Sequence, residues 1–280
     1  MNSLQMPSGS GLGLRREMLG EMLQKKPSNV DFFEVAPENW IPFGGKLAKQ
    51  LKSLTEQYQF VTHGLSLSIG SPDPLDIEFV KKVKLFLDEH NIKVYSEHLS
   101  YCSAGGHMYD LMPIPFTSEA VNYVADRVKQ VQDIIERPLV LENVSYYAAP
   151  GQQLSEIEFT KAVLEESNCG LLLDVNNIYV NSINHGYDAL DYLKALPTER
   201  IIYGHIAGHF NEAEDLIVDT HGADVAAPVW ELLEQAYRFH GVFPTLLERD
   251  FNIPEMSILT QEVERIRSYQ HELGGMEQSA

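Results

Sequence analysis

The chain has 280 residues, with 21 Lys and Arg against 40 Asp and Glu, a formal net charge of −19 that argues against a binder of nucleic acid or of anionic membrane. A 44% hydrophobic and 22% charged composition is that of a globular protein able to bury roughly three quarters of its unfolded surface. Two cysteines, Cys102 and Cys169, stand far apart and outside any CxxC, which excludes a disulfide framework and a thiolate zinc site.

A reducing, cytoplasmic setting follows as the default expectation. The segment Met1 to Gly11 is polar and unlike a signal peptide, and 18 consecutive apolar residues occur nowhere, so neither export nor a membrane span is expected.

In chain order, eight short runs rich in Val, Ile, Leu and aromatics read as strands. They are Leu12 to Arg15, Asp31 to Pro37, Phe60 to Leu67, Lys93 to Ser100, Leu139 to Val144, Gly170 to Val175, Ile201 to Ile206 and Pro244 to Arg249. Between them Glu78 to His90, Ser118 to Glu136, Ser155 to Ser167, Ala226 to His240 and Ser257 to Tyr269 repeat apolar residues at three and four, the period of helices with one buried stripe.

Eight strand-then-helix units at this length predict an α/β fold of a single (β/α)8 TIM barrel over residues 11–270, with 1–10 and 271–280 as loose tails. An open doubly wound sheet would carry a glycine-rich phosphate loop after an early strand, whereas Arg16-Glu17-Met18-Leu19 follows the first run.

Nearly every predicted strand ends in an ionisable residue: His63, His98, Glu142, Asp174, His205 and Glu248. In a barrel those ends converge on the face that carries catalysis. Side chains alternate along a strand, so His63 points with Val61, Glu142 with Val140, Asp174 with Leu172 and Glu248 with Leu246, each above a packed apolar layer. Packing does not explain such a ring, because buried ionisable groups must be paired or bound to metal.

Asp219-Thr220-His221 adds a carboxylate and an imidazole at a spacing that can clamp one ion. Four carboxylates (Glu142, Asp174, Asp219, Glu248) in one mouth call for two or three divalent cations. Imidazole and carboxylate without thiolate suit Zn, Mn or Fe. Glu34 and Glu97 near the same rim read as supporting partners, His209 as a substrate or supporting contact, Cys102 as a packing residue, and His90, His240 and His271 as solvated histidines.

The order His63, His98, Glu142, Asp174 with Asn177, His205, Asp219-x-His221, Glu248 resembles the ligand order of xylose isomerase-like barrels, endonuclease IV above all, where a histidine stands at the position of Asn177. A closer likeness spans roughly Gly11 to Tyr269. It rests on Gly11-Leu12-Gly13-Leu14-Arg15, Glu34-Val35-Ala36-Pro37-Glu38-Asn39-Trp40, His63-Gly64-Leu65-Ser66-Leu67-Ser68-Ile69-Gly70 and Ser96-Glu97-His98-Leu99-Ser100. It extends through Leu141-Glu142-Asn143-Val144, Leu173-Asp174-Val175-Asn176-Asn177-Ile178-Tyr179-Val180, Gly204-His205-Ile206-Ala207-Gly208-His209 and Asp219-Thr220-His221-Gly222.

These segments resemble the MbnB/BufB-type multinuclear iron-dependent oxidases. The resemblance implies two or three irons and O2 as co-substrate, with Zn or Mn as substitutes. It also implies a cysteine-containing, ribosomally made precursor peptide as substrate and a smaller partner protein that delivers it. On this reading His63, His98 and Glu142 hold one iron, Glu142, Asp174, His205 and Glu248 a second, and Asn177, Asp219 and His221 a partial third. Glu142, Asp219 and His221 are the catalytic candidates. A metal-dependent hydrolase or sugar isomerase, and a non-catalytic metal store or peptide scaffold, are the competing expectations.

Overall fold

The structure is a computed structural model that describes residues 5–25 and 27–277; residues 1–4 and 278–280 of the expected tails lie outside them. Eight parallel strands close into a barrel: β1 (Ser10–Gly13), β2 (Phe32–Val35), β3 (Gln59–Gly64), β4 (Tyr95–His98), β5 (Leu139–Glu142), β6 (Gly170–Asp174), β7 (Ile201–Ile206) and β8 (Thr245–Leu247). Each pairs with its neighbours in sequence, and β1 closes the ring against β8 with Gly11 opposite Leu246. The α/β barrel expected from the alternating pattern is therefore present.

The helices owe their starts to local chemistry. Asp76, Thr117 and Ser155 each accept a backbone N–H three residues on, and so cap α3 (Ile77–Glu89), α4 (Ser118–Ile135) and α5 (Glu156–Ser167). Val121, Val124, Val128, Val131 and Ile135 of α4 form one buried stripe against the sheet. The last helix, Met256–Glu277, continues past Gln270. No helix among the described residues is long and apolar enough to cross a membrane.

The barrel interior is layered. Phe32, Val61, Val94, Val140, Leu172, Tyr203 and Leu246, one from each of seven strands or the residue just before one, fill the lower layer. Gly11 is the contribution of β1, and a Cβ there would lie 2.5 Å from the Phe32 ring, so glycine makes room for that phenyl group. Two residues on, the same alternation places Glu34, His63, Ser96, Glu142, Asp174, His205 and Glu248 in the next layer. An apolar floor thus supports a polar ceiling at the C-terminal end of the barrel.

Two elements sit above that ceiling. After β4 comes the hairpin Tyr101–Ser103 with His107–Met112, and after β7 the hairpin Phe210–Ala213 with Leu216–Val218. The strand bounds differ from the sequence expectation at the ends. β1 begins at Ser10, because Ser10 N donates to Asp31 Oδ2 at 2.9 Å, and it ends at Gly13 before Arg15 opens a 3-10 turn. Glu248 stands one residue beyond β8.

Candidate metal centre

His63, Glu142, Asp174, His205 and Glu248 come from five different strands or strand ends, and all five are buried. His98 lies one layer above His63's, being two residues past Ser96, and the step brings its Nε2 over that of His63, 3.2 Å away. Glu142 Oε2 completes a triangle, 3.0 Å from His63 Nε2 and 3.4 Å from His98 Nε2. Ligands about 2.0–2.2 Å from one ion are separated by about 3.0–3.5 Å, which these edges match.

Glu142 Oε1 faces the other way, 4.0 Å from His205 Nδ1, which in turn is 3.0 Å from Glu248 Oε2. Ligand-capable atoms of His63, Glu142 and His205, of Glu34, His205 and Glu248, and of Asp174, His221 and Glu248 lie within 4.8 Å of one another in each group.

Asp219 and His221 arrive from the loop after β7, and several contacts seat that loop. Asn184 binds both the N–H and the C=O of Ile217, at 2.8 and 2.9 Å. Gly208 passes so near Ala223 that a Cβ would lie 2.0 Å from its carbonyl oxygen. Buried Arg249 holds Asp224 at 2.7 Å and Glu262 at 3.3 Å. His221 takes a left-handed backbone (φ 48°), and its carbonyl accepts the Asp250 N–H at 2.9 Å. Its Nε2 then stands 2.7 Å from Asp219 Oδ1 and its Nδ1 3.3 Å from Asp250 Oδ2.

Asn177 sits in the first turn of α6 (Val175–His185), a helix the periodicity did not reveal. Asp174 both ends β6 and caps that helix, accepting Asn177 N–H at 2.6 Å through Oδ1. The Asn177 amide nitrogen donates to Asn143 O at 3.1 Å and to Glu142 Oε1 at 3.3 Å, while its buried Oδ1 has no hydrogen-bond partner.

Whether these side chains suit cations is decided by the atoms left without hydrogen bonds. Among the described residues eleven buried side-chain nitrogen or oxygen atoms lack one, and five are Glu142 Oε2, Asp174 Oδ2, Asn177 Oδ1, His205 Nδ1 and His221 Nε2. Several have a partner at contact distance but without hydrogen-bond alignment, as two ligands of one ion do. Buried groups are rarely orphaned, so the concentration of orphans here fits a bound cation cluster.

The electrostatics agree. Burial by itself would lower the His98 imidazole, yet Glu142, Glu97 and Glu248 raise its pKa to about 9. Burial opposes ionisation of Glu142, but His63 and His98 bring it down to about 2. Burial and then the Glu142 charge push Asp174 well above the ordinary carboxylate range. His205 and His221 are raised, against the pull of burial, by Glu34 with Glu248 and by Asp219 with Glu248 respectively.

The supporting contacts of Arg15 and of Asp219 went unread in the sequence. Arg15 pairs with Asp250 and reaches Glu248 Oε1 at 3.5 Å. Asp219 accepts from Ser145 Oγ at 3.0 Å and from Asn176 Nδ2 at 2.9 Å. His209 binds Asn176 Oδ1 at 2.8 Å and so touches the centre only through Asn176. His90 is a correction: capping the end of α3, it is buried against α2 (Gly45–Thr55) and bonded to Thr55 Oγ1 at 2.9 Å, with the Phe86 ring tilted against it. A cavity of about 460 Å³ opens onto His98, Glu142, Asn177 and His221, and its outer wall includes His107, Tyr109 and Phe251.

The chain is 68% identical over 261 residues to a UPF0276 protein of Shewanella amazonensis, covering 93% of this chain and 94% of that one. It is 54% identical over 267 residues to a UPF0276 protein of Pseudomonas aeruginosa, covering 95% and 94%. In solved structures the fold resembles the IOLI protein with a binding zinc atom (TM-score 0.63, 15% identity, 97% of this chain and 99% of that one). It also resembles the 3-keto-D-glucoside 4-epimerase YcjR of E. coli (TM-score 0.62, 13% identity, 93% and 99%). Residues 9–271 match the profile of the RiPP precursor modification enzymes MbnB/TglH/ChrH, and this chain belongs to that family.

Proposed function

We propose that this protein is a multinuclear non-haem iron oxidase that uses O2 to modify cysteine residues of a ribosomally synthesised precursor peptide delivered by a smaller partner protein. The observation that carries the reading is the convergence of four imidazoles and four carboxylates on one barrel face, with atoms of Glu142, Asp174, His205 and His221 left without hydrogen bonds. Membership of a family of precursor modification enzymes supports the peptide substrate.

His63, His98 and Glu142 Oε2 would hold a first ion, and Glu142 Oε1, His205 and Glu248 a second. Asp219, His221 and Asn177 would hold a third, with Asp174 standing between the last two. When bound, iron would supply electrons to O2 and favour the deprotonated form of a substrate thiol.

The chain's own residues supply the rest. Glu142 presents one oxygen to each of the first two positions, which makes it a bridge. Arg15 holds Glu248 by its far oxygen and leaves Oε2 facing inward. Cys102 lines the same cavity, but burial and the charges of Glu97 and Glu38 push its pKa up, so it stays a thiol and does not compete with a substrate thiolate. The cavity walls admit a peptide side chain while the layer beneath is apolar.

Anaerobic purification with metal analysis, followed by O2 exposure alongside a co-expressed precursor peptide, tests the assignment. Two or three irons per chain and a mass change confined to cysteine residues are expected. A colourless zinc or magnesium protein that leaves thiols intact and turns over a sugar would instead support a metal-dependent isomerase, the reading that the epimerase-like fold favours.

A further inference from the structure

We propose that Ser96, Tyr203 and Glu34 form one proton-ordered chain that decides which ring nitrogen of His63 and which of His205 is free to bind a cation. The inference rests on the metal-centre reading above and assigns three positioning residues to it.

All three side chains are buried. Tyr203 belongs to the apolar layer of the barrel, where Phe would fill the same space. A buried hydroxyl there is unfavourable unless it is hydrogen-bonded, and it is bonded twice. Tyr203 OH lies 2.8 Å from Glu34 Oε2 and 2.6 Å from Ser96 Oγ. Beyond these, Ser96 Oγ lies 2.8 Å from His63 Nδ1, and Glu34 Oε2 lies 3.1 Å from His205 Nε2.

With Glu34 ionised and every short contact filled, proton counting permits one order. The phenol has a single proton, which the Glu34 carboxylate accepts. With the phenol proton used on Glu34, the 2.6 Å contact between Ser96 Oγ and Tyr203 OH can be filled only by the Ser96 hydroxyl proton, in preference to the longer 3.1 Å contact with Thr62 O. None is then left for His63, so His63 Nδ1 must donate to Ser96 Oγ. At the other end the carboxylate only accepts, so His205 Nε2 carries the hydrogen. The lone pairs are then on His63 Nε2 and His205 Nδ1, the atoms that face Glu142. One chain of hydrogen bonds therefore orients two ligands on opposite sides of the proposed bridge, as outer partners of metal-bound histidines do.

The test uses zinc as the probe, with affinity read by competition against a chelator for the wild-type chain, Tyr203→Phe, Ser96→Ala and the double variant. Each single change is expected to weaken zinc binding about tenfold. Because both cut the same chain, the double variant should lie near the weaker single rather than about a hundredfold below wild type. Imidazole nitrogen NMR of the zinc-loaded protein should place the hydrogen on His63 Nδ1 and on His205 Nε2. Unaltered zinc affinity in both variants, independent and multiplicative losses, or the opposite ring hydrogens overturns the chain while leaving the metal centre standing. A wild-type chain that takes up no zinc overturns the metal centre and this inference together. Should Tyr203→Phe fail to fold, Ser96→Ala removes only one oxygen and reads the same chain from the His63 end.

Discussion

His63 Nε2 and His98 Nε2 face each other at 3.2 Å while the Nδ1 atoms of both rings are already engaged, one with Ser96 Oγ and the other with Gly64 O. If both Nδ1 atoms donate, two lone pairs oppose each other, which is repulsive unless a positive charge stands between them. That charge is a proton or a metal ion, and Glu142 Oε2 beside both rings suits either.

Replacing Glu142 by Ala should therefore remove two positions at once. Metal content is expected to fall, and affinity to drop by more than the roughly hundredfold that marks loss of an outer partner, with the proposed oxidase activity lost in parallel. Metal analysis beside circular dichroism checks this. A folded Glu142→Ala protein that keeps its full metal content contradicts the bridging role.

Metal binding should weaken as the solution is made more acidic. His98 holds its proton below about pH 9, because Glu142 and Glu97 outweigh the effect of burial, and a cation must displace it. Apparent affinity is expected to fall about tenfold per pH unit for each proton displaced as pH drops below about 9. Titrations at pH 6.5, 7.5 and 8.5 measure the slope; a flat profile would contradict proton release from this site.

Glu156, which is not among the proposed ligands, offers a separate pH effect. Burial raises its pKa to about 7, against the hydrogen bond that Asn181 Nδ2 donates to its Oε1 at 3.2 Å. Its folded-state value thus exceeds its unfolded one, so the contribution to stability is intact below about pH 4.5 and is lost as pH rises through about 7. The total lost is on the order of 3 kcal/mol. Glu156→Gln mimics the protonated form and should raise the melting temperature at pH 8 but little at pH 5. Equal shifts at both values would remove the ionisation argument.

Gly208→Ala probes the loop without touching a ligand. The added methyl would sit 2.0 Å from Ala223 O, so the Asp219 to Ala223 segment must move. We expect loss of the third ion, retention of the first two, and a stability penalty of about 1–3 kcal/mol. Metal stoichiometry of the variant reads this directly, and an unchanged count would show that the loop tolerates displacement.

The ring of His63, Glu142, Asp174 and Glu248 was legible in the chain because strand pleating has a fixed period of two, so an apolar residue two places earlier marks each as inward. The same rule applied to Ile201–Ile206 would have put Tyr203 beneath His205, but an aromatic residue in a strand reads as packing until its hydroxyl has a partner. Asp174 beginning a helix was also written locally, as a capping residue three places before Asn177.

Residue type and alternation therefore determined which face gathers the ionisable side chains and which kinds of donor atom they present. Ring closure decided the remainder. Only in the folded barrel does Glu34 lie between Tyr203 and His205, does Arg15 reach Asp250 and Glu248, and does the Asp219 to His221 loop lie over the mouth. Those contacts join residues far apart in sequence through loops with no repeating period. A hydrogen-bond network takes its directions from all of its members at once, so no single stretch of chain encodes it.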